Sequence, residues 1–145
     1  MTILNLVDDP TAGVSSYASV AEAINEMLHR HVGAVAILDE AQRVVGIFTE
    51  RDVLVKFVLT GLDPALAPVS EFMTTPVHTA SSAITPGEAL SMMLERHFRH
   101  LPIVDTAGRI QGILSLRDLL QWRADDLSHE LNALEQYYSN DSLGG

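Results

Sequence analysis

A chain of 145 residues, 47% hydrophobic and only 19% charged, can bury one cooperative core but is short for two independent domains. Nine basic residues against nineteen acidic ones give a formal net charge of −10, which excludes a phosphate-backbone partner, since nucleic-acid binding rests on concentrated Lys and Arg. Cysteine is absent, which removes disulfides and thiolate chemistry, and no basic n-region precedes the short apolar stretch of MTILNLVDDPTAG, so neither a signal peptide nor a membrane span is expected and a cytoplasmic protein is.

Ser19 is placed to cap a helix on which Val20, Ala23, Ile24, Met27 and Leu28 recur at three- and four-residue spacing. His29, Arg30 and His31 gather at its C-terminal end, where cations complement the helix dipole. AVAIL then reads as a buried strand, Asp39 to Arg43 as a polar turn, and VVGIF as a second strand, after which Thr49 opens a helix carrying Val53, Leu54 and Phe57. Gly61 stops that helix, and Asp63, Pro64, Ala67 and Pro68 form a linker. Val69 to Met73 is expected to make a short helix before Pro76, and Val77 to Ala80 an entering strand. The pattern then repeats: a helix opened by Thr85 and Pro86, the strand LPIV, a turn from Asp105 to Arg109 helped by Gly108, the strand IQGIL, and a helix begun by Ser115 with Leu119 and Leu120. Leu120, Leu127, Leu131, Leu134 and Tyr138 continue at helical intervals, predicting a long amphipathic C-terminal helix whose stripe packs on the parent module or pairs with a second subunit; Ser142 to Gly145 should fray.

The repetition is literal. Glu22, Ala23, Met27, Leu28, Arg30 and His31 reappear as Glu88, Ala89, Met93, Leu94, Arg96 and His97, about 66 positions further on. The same offset carries Ile37, Asp39, Ala41, Arg43, Gly46, Ile47, Arg51, Asp52 and Leu54 onto Ile103, Asp105, Ala107, Arg109, Gly112, Ile113, Arg117, Asp118 and Leu120 without a gap. Duplication predicts pseudo-twofold symmetry with any ligand site present twice. Residues 1–145 are therefore expected to form one α+β module: repeat one over 8–62, a linker over 63–69, repeat two over 70–123, and a C-terminal helix and tail over 124–145.

The strand-to-helix junction reads Gly46-Ile-Phe-Thr49-Glu-Arg51-Asp52 in one copy and Gly112-Ile-Leu-Ser115-Leu-Arg117-Asp118 in the other. A hydroxyl followed three residues later by an acid is a capping box, which structural helices use without binding anything. The same end, with free N–H groups beside a glycine that admits close approach, also suits a phosphate, with the Arg adding charge and the Asp accepting from ribose hydroxyls.

With its Leu101-Pro102-Ile103-Val104-Asp105 strand and G-h-h-[ST]-x-x-D junctions, the duplicated unit resembles a CBS domain pair, or Bateman module, over residues 10–122, including the Val69-Ser-Glu-Phe-Met73-Thr74 segment that introduces a second repeat. The resemblance implies an open three-stranded sheet with helices on one face in each repeat, packed sheet to sheet, and a shared site for an adenosine-containing ligand: AMP, ADP, ATP or NAD. Carried over residue by residue, it pairs Thr49 and Asp52 with Val77, His78, Arg99, His100 and Pro102, and Ser115 and Asp118 with Gly13, Gly33, Ala34 and Ala36, while Arg51 and Arg117 of the junctions supply charge. Because Arg99 and His100 can meet phosphate oxygens, the Asp52 pocket is expected to bind the charged nucleotide more tightly. The resemblance further implies a homodimer, a separate effector protein, and signalling by a change in repeat or dimer geometry.

Other constellations carry less. His29 and His31 diverge on a helix, and with His97 and His100 they find no Cys or clear carboxylate to complete a metal set. Asp8-Asp9 and Asp125-Asp126 are adjacent carboxylates that point apart. Ser15, Ser16, Ser81 and Ser82 lack a nucleophile elbow or base, so no enzyme and no metal or catalytic cofactor is expected. The alternative is a protein-interaction or structural module with vestigial nucleotide pockets, docking through its acidic surface or its C-terminal helix.

Overall fold

The computed structural model describes residues 2–7 and 13–144, with side chains as far as Ser139. The Asp8-Asp9 pair lies outside the described residues, as do the side chains of Ser142 to Gly145, where fraying is expected. Repeat one contributes β1 (Gly13–Ser15), α1 (Val20–Arg30), β2 (Ala34–Leu38), β3 (Val44–Thr49) and α2 (Glu50–Asp52), which runs on as a π-helical turn Val53–Phe57 and a 3-10 turn Val58–Thr60. Repeat two contributes β4 (Ala80–Ser81), α3 (Pro86–Arg96), β5 (His100–Val104), β6 (Ile110–Ser115) and α4 (Leu116–Gly144). The entering strand of repeat two begins at Ala80 rather than Val77, and the helix begun at Leu116 runs without a break through the C-terminal stripe to Gly144.

Each repeat forms its own three-stranded sheet, β1-β2-β3 and β4-β5-β6, with the first pair parallel and the second antiparallel. Local chemistry sets the elements. Ser19 and Glu22 close a reciprocal capping box on α1, and Thr85 accepts from the Glu88 N–H at the start of α3. In both hairpin turns one carboxylate does the same work: Asp39 accepts from the N–H groups of Ala41 and Arg43 at 2.9 Å, and Asp105 from those of Ala107 and Arg109 at 2.9 Å. The repeated Asp, Ala and Arg identities are thus turn-forming residues.

Val20, Ala23 and Met27 on the inner face of α1 pack with Val35, Ile37 and Phe48 of the first sheet; Ala89 and Met93 of α3 pack with Leu101, Ile103 and Leu114 of the second. The repeats meet through Ala36, Leu38 and Ile113, with Val44 and Ile110 beside them, and two backbone hydrogen bonds join their turns, from Val44 N to Gly108 O and from Ile110 N to Gln42 O. The Arg43 and Arg109 backbones pair there, which places the pseudo-twofold axis between them.

A second exchange ties the halves. Ile3, in a 3-10 turn ahead of repeat one, is buried in the core of repeat two with Leu6 and Val7 packed beside it; Val69, in a 3-10 turn ahead of β4, is buried in the core of repeat one with Phe72 and Met73. Ile3 and Val69 stand at the same offset as the identities, so each repeat's leading segment crosses to the other repeat. Among the described residues no helix is long and apolar enough to cross a membrane.

Candidate functional site

The two junctions are equivalent in sequence and different in the structure. In repeat one Asp52 is buried and its carboxylate is fully engaged: Oδ2 accepts from the Thr49 N–H at 3.0 Å and the Thr49 hydroxyl at 3.2 Å, while Oδ1 accepts from the Thr74 hydroxyl at 2.9 Å and pairs with Lys56 Nζ at 3.1 Å. Thr74 is held in turn by two backbone hydrogen bonds with Ile47. The segment ahead of β4 therefore covers the Asp52 carboxylate.

In repeat two Ser115 Oγ accepts from the Asp118 N–H at 3.1 Å, so the hydroxyl caps α4, but the carboxylate does not reciprocate. Asp118 Oδ2 is buried with no hydrogen-bond partner among the described residues. Sequence register explains the difference: Trp122 stands where repeat one has Lys56, so repeat two has no equivalent cation. An unpaired buried acceptor is costly, and it sets the carboxylate of Asp118 apart from that of Asp52.

Asp118 and Ser115 line a cleft of about 1470 Å³ between the repeats. Equivalent positions of both halves share it: Gly33 with Arg99, Ala34 with His100, Glu50 with Leu116, and Leu54 with Leu120. Ile24, Met27, Leu28 and Ile113 add apolar wall, and Arg117 lies at the same place as Asp118. His100 sits opposite Ser115 in the β5–β6 ladder, and the Leu116 N–H donates to Arg99 O at 2.8 Å, so these groups are neighbours through the hairpin itself. Burial holds His100 below the ordinary histidine range, with Arg99 acting the same way and Glu50 and Asp118 opposing.

The cleft gathers Arg99 and His100 with Ser115 and Asp118, and Glu50 of the repeat-one junction reaches it too, whereas Thr49 and Asp52 are not among its lining residues. Gly33 and Ala34 do lie across from Ser115 and Asp118. Pro102 is buried within β5 opposite Ile113 and is a packing residue. His78 stacks on Phe98 with ring centroids 5.1 Å apart and accepts from Arg96 at Nδ1, and half-buried Val77 immediately precedes it. Gly13 pairs with Ala36 in the first sheet, and Arg51 is exposed on α2. The junction glycines serve the chain rather than a ligand: a Cβ on Gly46 would stand 2.4 Å from Met73 Sδ, and one on Gly112 2.6 Å from Val7 Cγ2. Glu50 is a cleft residue that the sequence reading missed, since nothing in its own repeat marked it.

Residues 6–58 and 69–125 both match the CBS domain model. The chain belongs to the CBS-domain family. The CBS pair is 38% identical over 106 residues to the 17.7 kDa protein of the bps2 3′ region of Acidianus ambivalens, covering 73% of this chain and 63% of that relative, so it spans less than two-thirds of the relative's length. Among solved structures, a CBS-domain-containing protein from Agrobacterium tumefaciens superposes with a TM-score of 0.72 at 29% identity, covering 84% of this chain and 92% of that one. CBSX2, solved in complex with AMP, shares the fold at a TM-score of 0.71 and 21% identity, covering 86% of this chain and 96% of its own. The architecture is that of tandem CBS repeats, a regulatory module.

Proposed function

We propose that this CBS pair is a non-catalytic sensor that binds an adenosine-containing nucleotide, AMP, ADP, ATP or NAD, in the cleft between its repeats. The observation that carries the reading is that Asp118, one of whose carboxylate oxygens is buried without a hydrogen-bond partner among the described residues, lines that cleft. It would accept from ribose hydroxyls, Arg99, Arg117 and His100 would meet phosphate oxygens, and Leu28, Leu54 and Leu120 would flank the base, with Gly33 and Ala34 leaving room. The complex of CBSX2 with AMP supports the ligand class. Because Asp52 is already satisfied by Thr74 and Lys56, the reading gives one nucleotide per chain.

A ligand that touches both repeats favours one relative orientation of them, and this shift would be the signal, passed through a homodimer to a separate effector protein in the cytoplasm. Scanning fluorimetry against AMP, ADP, ATP, NAD and S-adenosylmethionine tests it. A ligand at about 100 times its Kd contributes about 2.7 kcal/mol to the folded state and should raise Tm by about 5 °C or more. No shift with any of them would favour the second reading, an interaction module, for which the exposed Leu131, Leu134 and Tyr138 of α4 speak.

A further inference from the structure

Glu50 is the one acidic residue that repeat one contributes to the cleft lining, which also holds Arg99 and His100. Its N–H donates to Gly33 O at 3.0 Å, which fixes where the side chain starts. A Cβ built on Gly33 would lie 3.4 Å from His100 Nε2 and 3.6 Å from Glu50 Oε2, so the carboxylate and the imidazole flank the same point. Glu50 has neither an ion-pair nor a hydrogen-bond partner for its carboxylate among the described residues. Its counterpart across the pseudo-twofold axis, Leu116, carries no charge.

The charge balance of the lining then matters. Arg99 and Arg117 are the two fixed cations among the lining residues, and Glu50 and Asp118 are two carboxylates, with His31 and His100 the remaining titratable groups. Asp118 is matched with sugar hydroxyls in the nucleotide reading, but Glu50 stands beside Arg99 and His100, where phosphate must sit. Each added phosphate brings more negative charge against a carboxylate that holds neither a hydrogen bond nor an ion pair among the described residues.

We infer that Glu50 limits the phosphate load of the ligand, so that the cleft takes a nucleoside carrying no more than one phosphate in preference to its diphosphate and triphosphate forms. The inference rests on the nucleotide reading and adds a selectivity to it. Glu50 acts here by repulsion, the element that specificity requires besides attractive contacts.

Calorimetric titration of AMP and ATP in magnesium-free buffer, on the full chain and on Glu50→Gln, is the test. The unaltered chain should bind AMP at least about tenfold more tightly than ATP, and Glu50→Gln should strengthen ATP at least about threefold while changing AMP less. Glu50→Lys should reverse the order. Glu50 is exposed and its N–H stays in place in each variant, so melting curves should overlay that of the unaltered chain. Equal strengthening of both nucleotides in Glu50→Gln, or no preference for AMP in the unaltered chain, overturns this inference alone. Failure of both nucleotides to bind the unaltered chain overturns the nucleotide reading and takes the inference with it.

Discussion

Thr74 donates its hydroxyl to Asp52 Oδ1 at 2.9 Å, joining the segment ahead of β4 to the start of α2. Lys56 reaches the same oxygen at 3.1 Å and the Thr74 hydroxyl at 3.1 Å, so Asp52 is the hub of a closed structural knot. Asp118, its twin, holds no such knot among the described residues. The two aspartates should therefore separate in experiment. Asp52→Ala removes a cap, a hydroxyl partner and the charge matching half-exposed Lys56, and should cost about 2–3 kcal/mol, lowering Tm by about 5–10 °C, with nucleotide affinity changed less than threefold. Asp118→Ala should do the reverse, leaving Tm within about 2 °C and weakening nucleotide binding at least tenfold. Thermal melts paired with calorimetric titrations check both, and a larger binding loss in Asp52→Ala would reinstate the pocket that the sequence resemblance favoured.

Gly46 is required by packing, which leads to a second prediction. A methyl group there would meet Met73 Sδ at 2.4 Å and Thr74 O at 3.2 Å. Met73 can swing, but the Thr74 carbonyl is fixed by its pairing with Ile47. Gly46→Ala should cost about 1–3 kcal/mol in denaturant unfolding. Shortening Met73 to Ala in the same chain should recover only part of it, because the backbone contact remains; full recovery would locate the whole clash in the methionine.

How much of this was legible in the sequence varies by length scale. The helices, hairpins and turns were, because capping residues, apolar spacing and the Asp-x-Ala-x-Arg turns are local signals that the structure uses directly. The crossing of the leading segments was not. Ile3 and Val69, Leu6 and Phe72, and Val7 and Met73 match in apolar character but not in identity, so counting identities does not pick them out. The hairpin register already implied that His100 stands opposite Ser115, a local relationship that the pairing carried over from the resemblance did not use. Closure of the Asp52 side depends on the path of the linker and on Lys56, neither of which the shared motif encodes.

His100 supplies a pH prediction with a definite sign. Its folded-state value is lowered, chiefly by burial, so between the unfolded value of about 6.5 and the lower folded one the unfolded chain binds more protons. Stability should fall as the pH drops through that window, and His100→Gln should flatten the profile there. Asp39 and Asp105 are lowered too, first by the Arg43 and Arg109 backbone N–H groups, so their contribution persists above about pH 4 and is lost below it. Nucleotide phosphate beside His100 would favour the imidazolium, so binding should take up protons below the ordinary histidine range and tighten as pH falls. Titrations in two buffers of different ionisation enthalpy measure that uptake; proton release would refute the contact.

The last prediction concerns α4, where Leu127, Leu131, Leu134 and Tyr138 are about half to two-thirds exposed instead of packing on the parent module. With Leu120 and Ala124 they alternate at four- and three-residue steps, the spacing of a coiled-coil seam. A seam of this kind is buried by another helix, and the proposed homodimer supplies an identical one. Asp125, Asp126, Glu130 and Glu135 outnumber Arg123 along the same stretch, so two copies repel at low salt. Sedimentation should accordingly show a dimer at micromolar concentration that tightens between 50 mM and 500 mM NaCl, about a threefold contraction of the screening length. Leu131→Asp with Leu134→Asp should give a monomer whose melting temperature and nucleotide affinity match the unaltered chain, because these side chains lie outside both repeat cores. A monomer before substitution, at either salt concentration, would exclude self-pairing and leave the stripe to a helix of another protein.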